Sequence, residues 1–263
     1  MTCAWRSSRI AAVAIAMAAC GPKDAPVDPA LEGLAITALA PATVVPGSRI
    51  TVTGRSFVDA PWGAASVHLF GNTADGAIDI HVAADFVDYD HLEIAVTDLV
   101  WDKLGGEGDF AGHAQVEIES GVTGETYRSA AIPVSLAIRA KLIPTIASLD
   151  LGEVAFVNDP VTVTGNGLLL GGGEGDTVAR VSGCFTADGA TDCAAIEPVS
   201  IPVIAAGPRP RETGTFVLSP TIAGISPGHF AGEVVLENHH ATGQVQASEA
   251  VPMAFDLTRP AVF

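Results

Sequence analysis

The sequence predicts an all-β chain built as two tandem antiparallel sandwiches, and three observations lead there. Turn formers are abundant, with 28 Gly and 17 Pro among 263 residues, while only 16% of residues are charged. Apolar and polar residues alternate in short runs, the period of half-buried strands, without the 3.6-residue period of helices. The chain also repeats itself internally.

The chain opens with a segment of a different kind. Met1–Arg9 carries Arg6 and Arg9 and no acid, and Ile10–Ala19 is an unbroken apolar run. A charged region followed by a short apolar one is the order of an export signal, and the run is shorter than the roughly 20 residues a spanning helix needs. Residues 1–19 are therefore expected to be a leader. Met17-Ala18-Ala19-Cys20-Gly21 resembles the lipobox of bacterial lipoproteins, which implies cleavage before Cys20 and a lipid on its sulfur. It departs from the commoner pattern at Met17, and Ala16-Met17-Ala18 also fits an ordinary small-x-small cleavage site that would release a soluble protein. Cysteine parity favours lipid: Cys20, Cys184 and Cys193 remain after cleavage, exported proteins seldom keep an odd thiol, and Cys184 and Cys193 form a natural pair. Residues 20–33, with Pro22, Pro26 and Pro29, read as a stiff, extended tether. Gly21 after the cysteine resembles lipoproteins sorted onward to the outer membrane, so the expected location is the cell envelope, at the outer membrane or cell surface.

Residues 34–140 and 141–258 form the repeat. Ile50–Gly54 (ITVTG) recurs as Val161–Gly165 (VTVTG), and Gly108–Gly112 (GDFAG) recurs as Gly228–Gly232 (GHFAG). The copies close alike, with Ala131–Ile138 (AIPVSLAI) matching Ala250–Leu257 (AVPMAFDL). Each copy holds about seven short alternating segments with prolines at strand ends, as antiparallel sandwiches do. Pro133 and Pro252, each inside a last segment, point to edge strands or bulges. Residues 259–263 are left as a tail.

The start of copy one runs from Leu39-Ala40-Pro41 through Val45-Pro46-Gly47 and the ITVTG strand to Phe57. It resembles the opening of IPT/TIG domains, immunoglobulin-like modules of plexins, some transcription factors and bacterial surface proteins. Copy two keeps the strand but has Leu168 in place of the phenylalanine and lacks the Pro-Gly turn. The resemblance implies two tandem immunoglobulin-like β-sandwich domains. The extra residues of copy two enclose Cys184 and Cys193 around an Asp188-Gly189 turn, and a disulfide across a two-stranded insertion is expected.

Charge limits the partners. Without Arg6 and Arg9 the chain has 11 basic against 30 acidic side chains, so nucleic acid is repelled. Asp85, Asp88, Asp90 and Glu93 cluster near a turn and are candidate Ca²⁺ oxygen ligands, although a solvated turn explains them as well. The two GGEGD runs, Gly105–Asp109 and Gly172–Asp176, read as flexible acidic loops. Gly224–Gly228 (GISPG) has the Gly-x-Ser-x-Gly spacing of serine hydrolases, but Pro227 has no N–H for an oxyanion and the segment leads into a strand. His239-His240 on a strand would face opposite ways, and His68, His81, His91, His113 and His229 show no ligand spacing. No zinc site, no cofactor and no catalytic residue is expected. Trp62 and Trp101 are candidate sugar-stacking residues, though their loops belong to opposite ends of a sandwich and core anchoring is the simpler reading.

The expected function is a lipid-anchored, non-enzymatic envelope protein that offers surfaces to an unknown envelope protein or polysaccharide, with the membrane itself as a partner through Cys20. A ligand-binding accessory role, to polysaccharide or with Ca²⁺, is the alternative. An enzyme is the remote one.

Overall fold

The computed structural model describes residues 33–151, 154–218 and 226–258. The expectations for the leader, for Cys20 and its tether through residue 32, and for the tail lie outside these residues.

In the first unit, β1 (Ala35–Ala40), β3 (Arg49–Arg55), β6 (His91–Ala95) and the end of β5 (Gly76–Asp88) form one layer. The facing layer holds β2 (Thr43–Val44), β9 (Ile132–Ile138), β7 (Gly108–Ser120), β4 (Gly63–Thr73) and the start of β5, with β8 (Thr126–Arg128) beside β7. β5 crosses between the layers: Gly76–Ala84 pair with β4, and Asp85–Asp88 pair with β6. Reading the strands as A, B, E and D against C, F and G gives the immunoglobulin arrangement. Ile50, Val52, Leu92 and Ile94 of one layer and Val67, Leu69, Val116, Ile118, Leu136 and Ile138 of the other close a single core. A short α1 (Asp98–Lys103) fills the connection from β6 to β7. The Thr97 side chain caps its N-terminus by accepting from the Val100 N–H, and Val100 is buried.

The second unit repeats this order strand for strand. It comprises β10 (Thr145–Asp150), β11 (Val154–Ala155), β12 (Pro160–Asn166), β13 (Gly175–Ala187), β14 (Ala194–Ala205), β15 (Thr213–Val217), β16 (Gly228–His240), β17 (Val245–Ala247) and β18 (Val251–Leu257). The protein is thus all-β, with two tandem immunoglobulin-like sandwiches.

The repeated sequence landmarks have physical causes. In ITVTG the alternation puts Ile50 and Val52 in the core, while Gly54 lies where β1 bulges between Ile36 and Ala38. A Cβ on Gly54 would stand 2.1 Å from the Ala35 carbonyl oxygen, and one on Gly165 would stand 1.8 Å from that of Thr145, opposite the same bulge in β10. In GDFAG the phenylalanines, Phe110 and Phe230, are buried, and each ring covers the glycine two residues on. Pro133 and Pro252 fall on stretches of β9 and β18 that pair on one side only, because β2 and β11 reach no further than Ala137 and Asp256. A proline there removes no ladder hydrogen bond.

Copy two spends its extra residues on a longer β13–β14 hairpin. Cys184 on β13 and Cys193 just before β14 are joined by a disulfide, with a Cα–Cα separation of 5.7 Å.

Candidate functional site

Alternation along β4, β5 and β7 sends Val67, Leu69, Val82, Ala114 and Val116 inward and leaves His68, Phe70, Asp79, His81, His113 and Glu117 on the outer face. The register sets His68 directly across from His81, and Phe70 across from both Asp79 and His113. The result is a row of rings. His81 stacks on His68 at 4.2 Å between centroids and 8° between planes, Phe70 leans on His68 at 4.8 Å, and His113 stacks on Phe70 at 5.4 Å.

Carboxylates flank this row. His68 Nε2 lies 2.8 Å from Asp79 Oδ1, and His81 Nδ1 lies 3.3 Å from Glu117 Oε2. Glu117 also accepts a hydrogen bond from Arg128 Nε. That bond, helped by the charges of Arg128, His81 and His68, outweighs burial and holds the Glu117 carboxyl below its usual range. In sequence, His68 and His81 are 13 residues apart and have no ligand spacing; the hairpin makes them neighbours. The signal that could have found them is strand register counted back from the β4–β5 turn.

Two of the four carboxylates proposed for Ca²⁺ are engaged elsewhere. Glu93 pairs with Arg49, and Asp88 accepts from the Asp90 N–H and contacts the His91 ring. The Asp90 N–H, ahead of His91, keeps the Asp88 carboxyl below its usual range. Asp85 faces Glu93 across the β5–β6 ladder. Among the described residues, these four do not bring their ligand atoms within 4.8 Å of one another, whereas His68, Asp79 and His81 do.

Trp62 and Trp101 sit at opposite ends of β4 and form no common platform. Trp62 precedes the strand and is 37% exposed, while Trp101 of α1 packs on the first core. His239 and His240 face opposite ways: His239 contacts Glu237 at the surface, and His240 is buried against the backbone of Leu142. In the hydrolase-like motif, Gly224 and Ile225 lie outside the described residues, and Gly228 begins β16. A shallow open cleft of about 650 Å³ is lined in part by Asp188, Pro227, His229 and Asp256, with His229 Nδ1 2.7 Å from Asp256 Oδ1. Ser226 is exposed and does not line that cleft.

The second GGEGD run corrects an expectation. It is a fixed 3₁₀ turn, not a flexible acidic loop, and Glu174 is only 2% exposed. Glu174 Oε1 accepts from Arg211 Nη2 at 2.7 Å and from Ser48 Oγ at 2.6 Å, while Oε2 accepts from Arg211 Nη1 and the Leu170 N–H, each at 3.0 Å. Arg211 Nε also donates to the Thr43 carbonyl, at 2.9 Å. Ser48 and Thr43 belong to the first sandwich, Glu174 and Arg211 to the second. At the same place Gly47, at φ +85°, lies against Gly173 so closely that a Cβ on Gly47 would meet the Gly173 carbonyl oxygen at 1.8 Å. The linker is held too, since buried Asn238 donates to the carbonyls of Leu142 and Gly167. The junction is a bidentate buried ion pair with every charged oxygen satisfied. The first GGEGD run is ordered as well: Asp109 lies in β7 and pairs with Arg139 at 2.7 Å.

No family model and no curated protein sequence matches the chain. Among solved structures, it is similar to the FN1–FN3 domains of chicken CNTN1 at 11% identity and a TM-score of 0.25, covering 86% of this chain and 65% of that one. It is also similar to the fibronectin(III)-like modules of Clostridium thermocellum CbhA, at 13% identity and a TM-score of 0.24, covering 85% and 92%. A third similarity is to three N-terminal domains of the bacteriophage RB49 outer capsid protein Hoc, at 9% identity and a TM-score of 0.22, covering 85% and 70%. Likenesses this loose carry no argument about function, and the fold assignment rests on strand order.

Proposed function

We propose that this chain is a lipid-anchored, non-enzymatic protein of the bacterial cell envelope, in which two docked IPT/TIG-like sandwiches present their outer faces and loops to another envelope component. The observation that carries the interaction role is the Ser48–Glu174–Arg211 junction. Two modules fixed against each other present their surfaces at a set spacing, which a scaffold needs and a flexible pair of beads lacks. Support for the anchor comes from Cys20, the cysteine left over once Cys184 and Cys193 pair. The prolines of residues 20–33 would hold the sandwiches off the bilayer.

Two measurements test this reading. Mass spectrometry of the mature N-terminus is expected to find acylated Cys20, and Cys20→Ala is expected to move the protein from the membrane to the soluble fraction. A mature chain beginning at Ala19, or an unmodified Cys20, overturns the anchor. Crosslinking in intact cells is expected to trap one recurring envelope component, and Arg211→Ala is expected to reduce its yield. An unchanged yield in that variant overturns the scaffold role of the junction. A polysaccharide-binding reading would rest on Trp62 alone, and Trp62→Ala in a glycan-binding assay addresses it.

A further inference from the structure

We propose that His68, Asp79 and His81 form a Zn²⁺ site on the outer face of the first sandwich, with Glu117 orienting His81 from behind. The ligand atoms of the three residues already lie within 4.8 Å of one another. Two nitrogens bound to one tetrahedral zinc at about 2.1 Å stand about 3.4 Å apart, so the remaining gap closes by small rotations about side-chain bonds. The stacked rings of His68 and His81 need only to tilt toward each other, and exposed Asp79 need only to pass from His68 Nε2 to the ion. Phe70 intervenes between this pair and His113, which leaves His113 out of the ligand set.

The donor set selects the ion. Two imidazole nitrogens and one carboxylate oxygen suit zinc and its first-row neighbours; Ca²⁺ takes six to eight oxygens. Three protein ligands leave one coordination position facing solvent. Glu117 supplies the support usual around a zinc-bound histidine. With Nδ1–H of His81 directed at the Glu117 carboxylate, Nε2 is the nitrogen free to bind. Arg128 in turn keeps Glu117 ionised and in place.

The repeat supplies an internal control. In copy two Arg180 occupies the place of His68 and Ser200 that of His81, as the pairing of Gly183 with Gly232 and of Arg180 with Ser200 shows. Glu237 stands where Glu117 does and pairs with Arg180 at 3.1 Å and with the His239 ring at 3.3 Å. At the two facing positions the second sandwich therefore has an arginine and a serine, while the first has two imidazoles with the Asp79 carboxylate beside them and takes the cation for Glu117 from Arg128 instead.

Calorimetric titration of the full chain with zinc chloride tests the site. One ion is expected to bind per chain, His68→Ala and His81→Ala are each expected to weaken binding by about tenfold or more, and His239→Ala in copy two is expected to leave it unchanged. Both test residues lie on an outer strand face, and unchanged circular dichroism and melting checks that the variants fold. Imidazole NMR signals of His68 and His81 are expected to move together on zinc addition while that of His229 stays. The proposal is overturned by the absence of saturable binding, by binding that survives in the His68→Ala/His81→Ala double variant, or by displacement of zinc with an equal concentration of Ca²⁺.

Discussion

At the scale of single residues, small changes are decided by what an added atom or a lost charge meets. A Cβ on Gly112 would stand 2.4 Å from the Phe70 carbonyl oxygen and 2.8 Å from the ring of Phe110, whereas one on Gly108 would meet nothing within 4 Å. Gly112→Ala is thus expected to cost about 1–3 kcal/mol and Gly108→Ala less than about 0.5, read as the difference in urea midpoints. Glu117 gives a pH dependence of known sign. Its carboxyl is held below the reference value of 4.5, first by the hydrogen bond from Arg128, so its contribution is complete above that value and is lost as pH falls through the lower folded-state value. Arg128 is 59% exposed, which limits the effect to less than about 1 kcal/mol. Denaturation midpoints at about pH 7 and about pH 3 are expected to differ less in Arg128→Ala than in the unaltered protein.

At the scale of the element, the β13–β14 hairpin is held at its tip by Cys184–Cys193, a pair nine residues apart in sequence. A loop that short, closed covalently, is worth about 2–3 kcal/mol through the entropy it removes from the unfolded chain. Reduction with dithiothreitol, or Cys184→Ser, is expected to lower the melting temperature of the second sandwich and leave the first unmoved; in a chain starting after residue 19, and so without Trp5, tryptophan emission follows the first sandwich alone, because Trp62 and Trp101 both lie there. The hairpin was legible in the sequence because its information is local: two cysteines, an Asp-Gly turn and a length difference between the copies. The strands carrying ITVTG and GDFAG were legible for the same reason, since alternation and a glycine at a close approach act within a few residues. The histidine site was not legible. It depends on which residue of β5 stands across from His68, and that register is set by the turn at Ala74–Asp75 and by the core face of both strands. The burial of Glu174 was not legible for the same reason, because its side-chain partners lie 37 and 126 residues away and nothing near the GGEGD run announces them.

At the scale of the whole molecule, the two sandwiches meet at the junction of Thr43, Gly47 and Ser48 with Gly173, Glu174 and Arg211. Arg211 and Glu174 have side chains 11% and 2% exposed, so removing one partner strands a charge with little access to water. Arg211→Met is therefore expected to destabilise the protein by about 3–5 kcal/mol, whereas the double variant Arg211→Met/Glu174→Met, which leaves no buried charge, is expected to recover much of that loss. The two variants separate stability from docking. Both lose the Arg211 donor to the Thr43 carbonyl, and the double variant also loses the hydrogen bond from Ser48 to Glu174, so both are expected to let the sandwiches move apart even where stability is regained. Small-angle scattering reads this directly as a larger radius of gyration and a broader distance distribution than the unaltered chain gives. Gly47→Ala provides a second route to the same end, because its Cβ pushes against the Gly173 carbonyl without touching either charge. If all three variants scatter as the unaltered protein does, the short linker, held to the second sandwich by the contacts of Asn238 and His240 with Leu142, is enough to set how the sandwiches sit, and the ion pair serves the second sandwich alone.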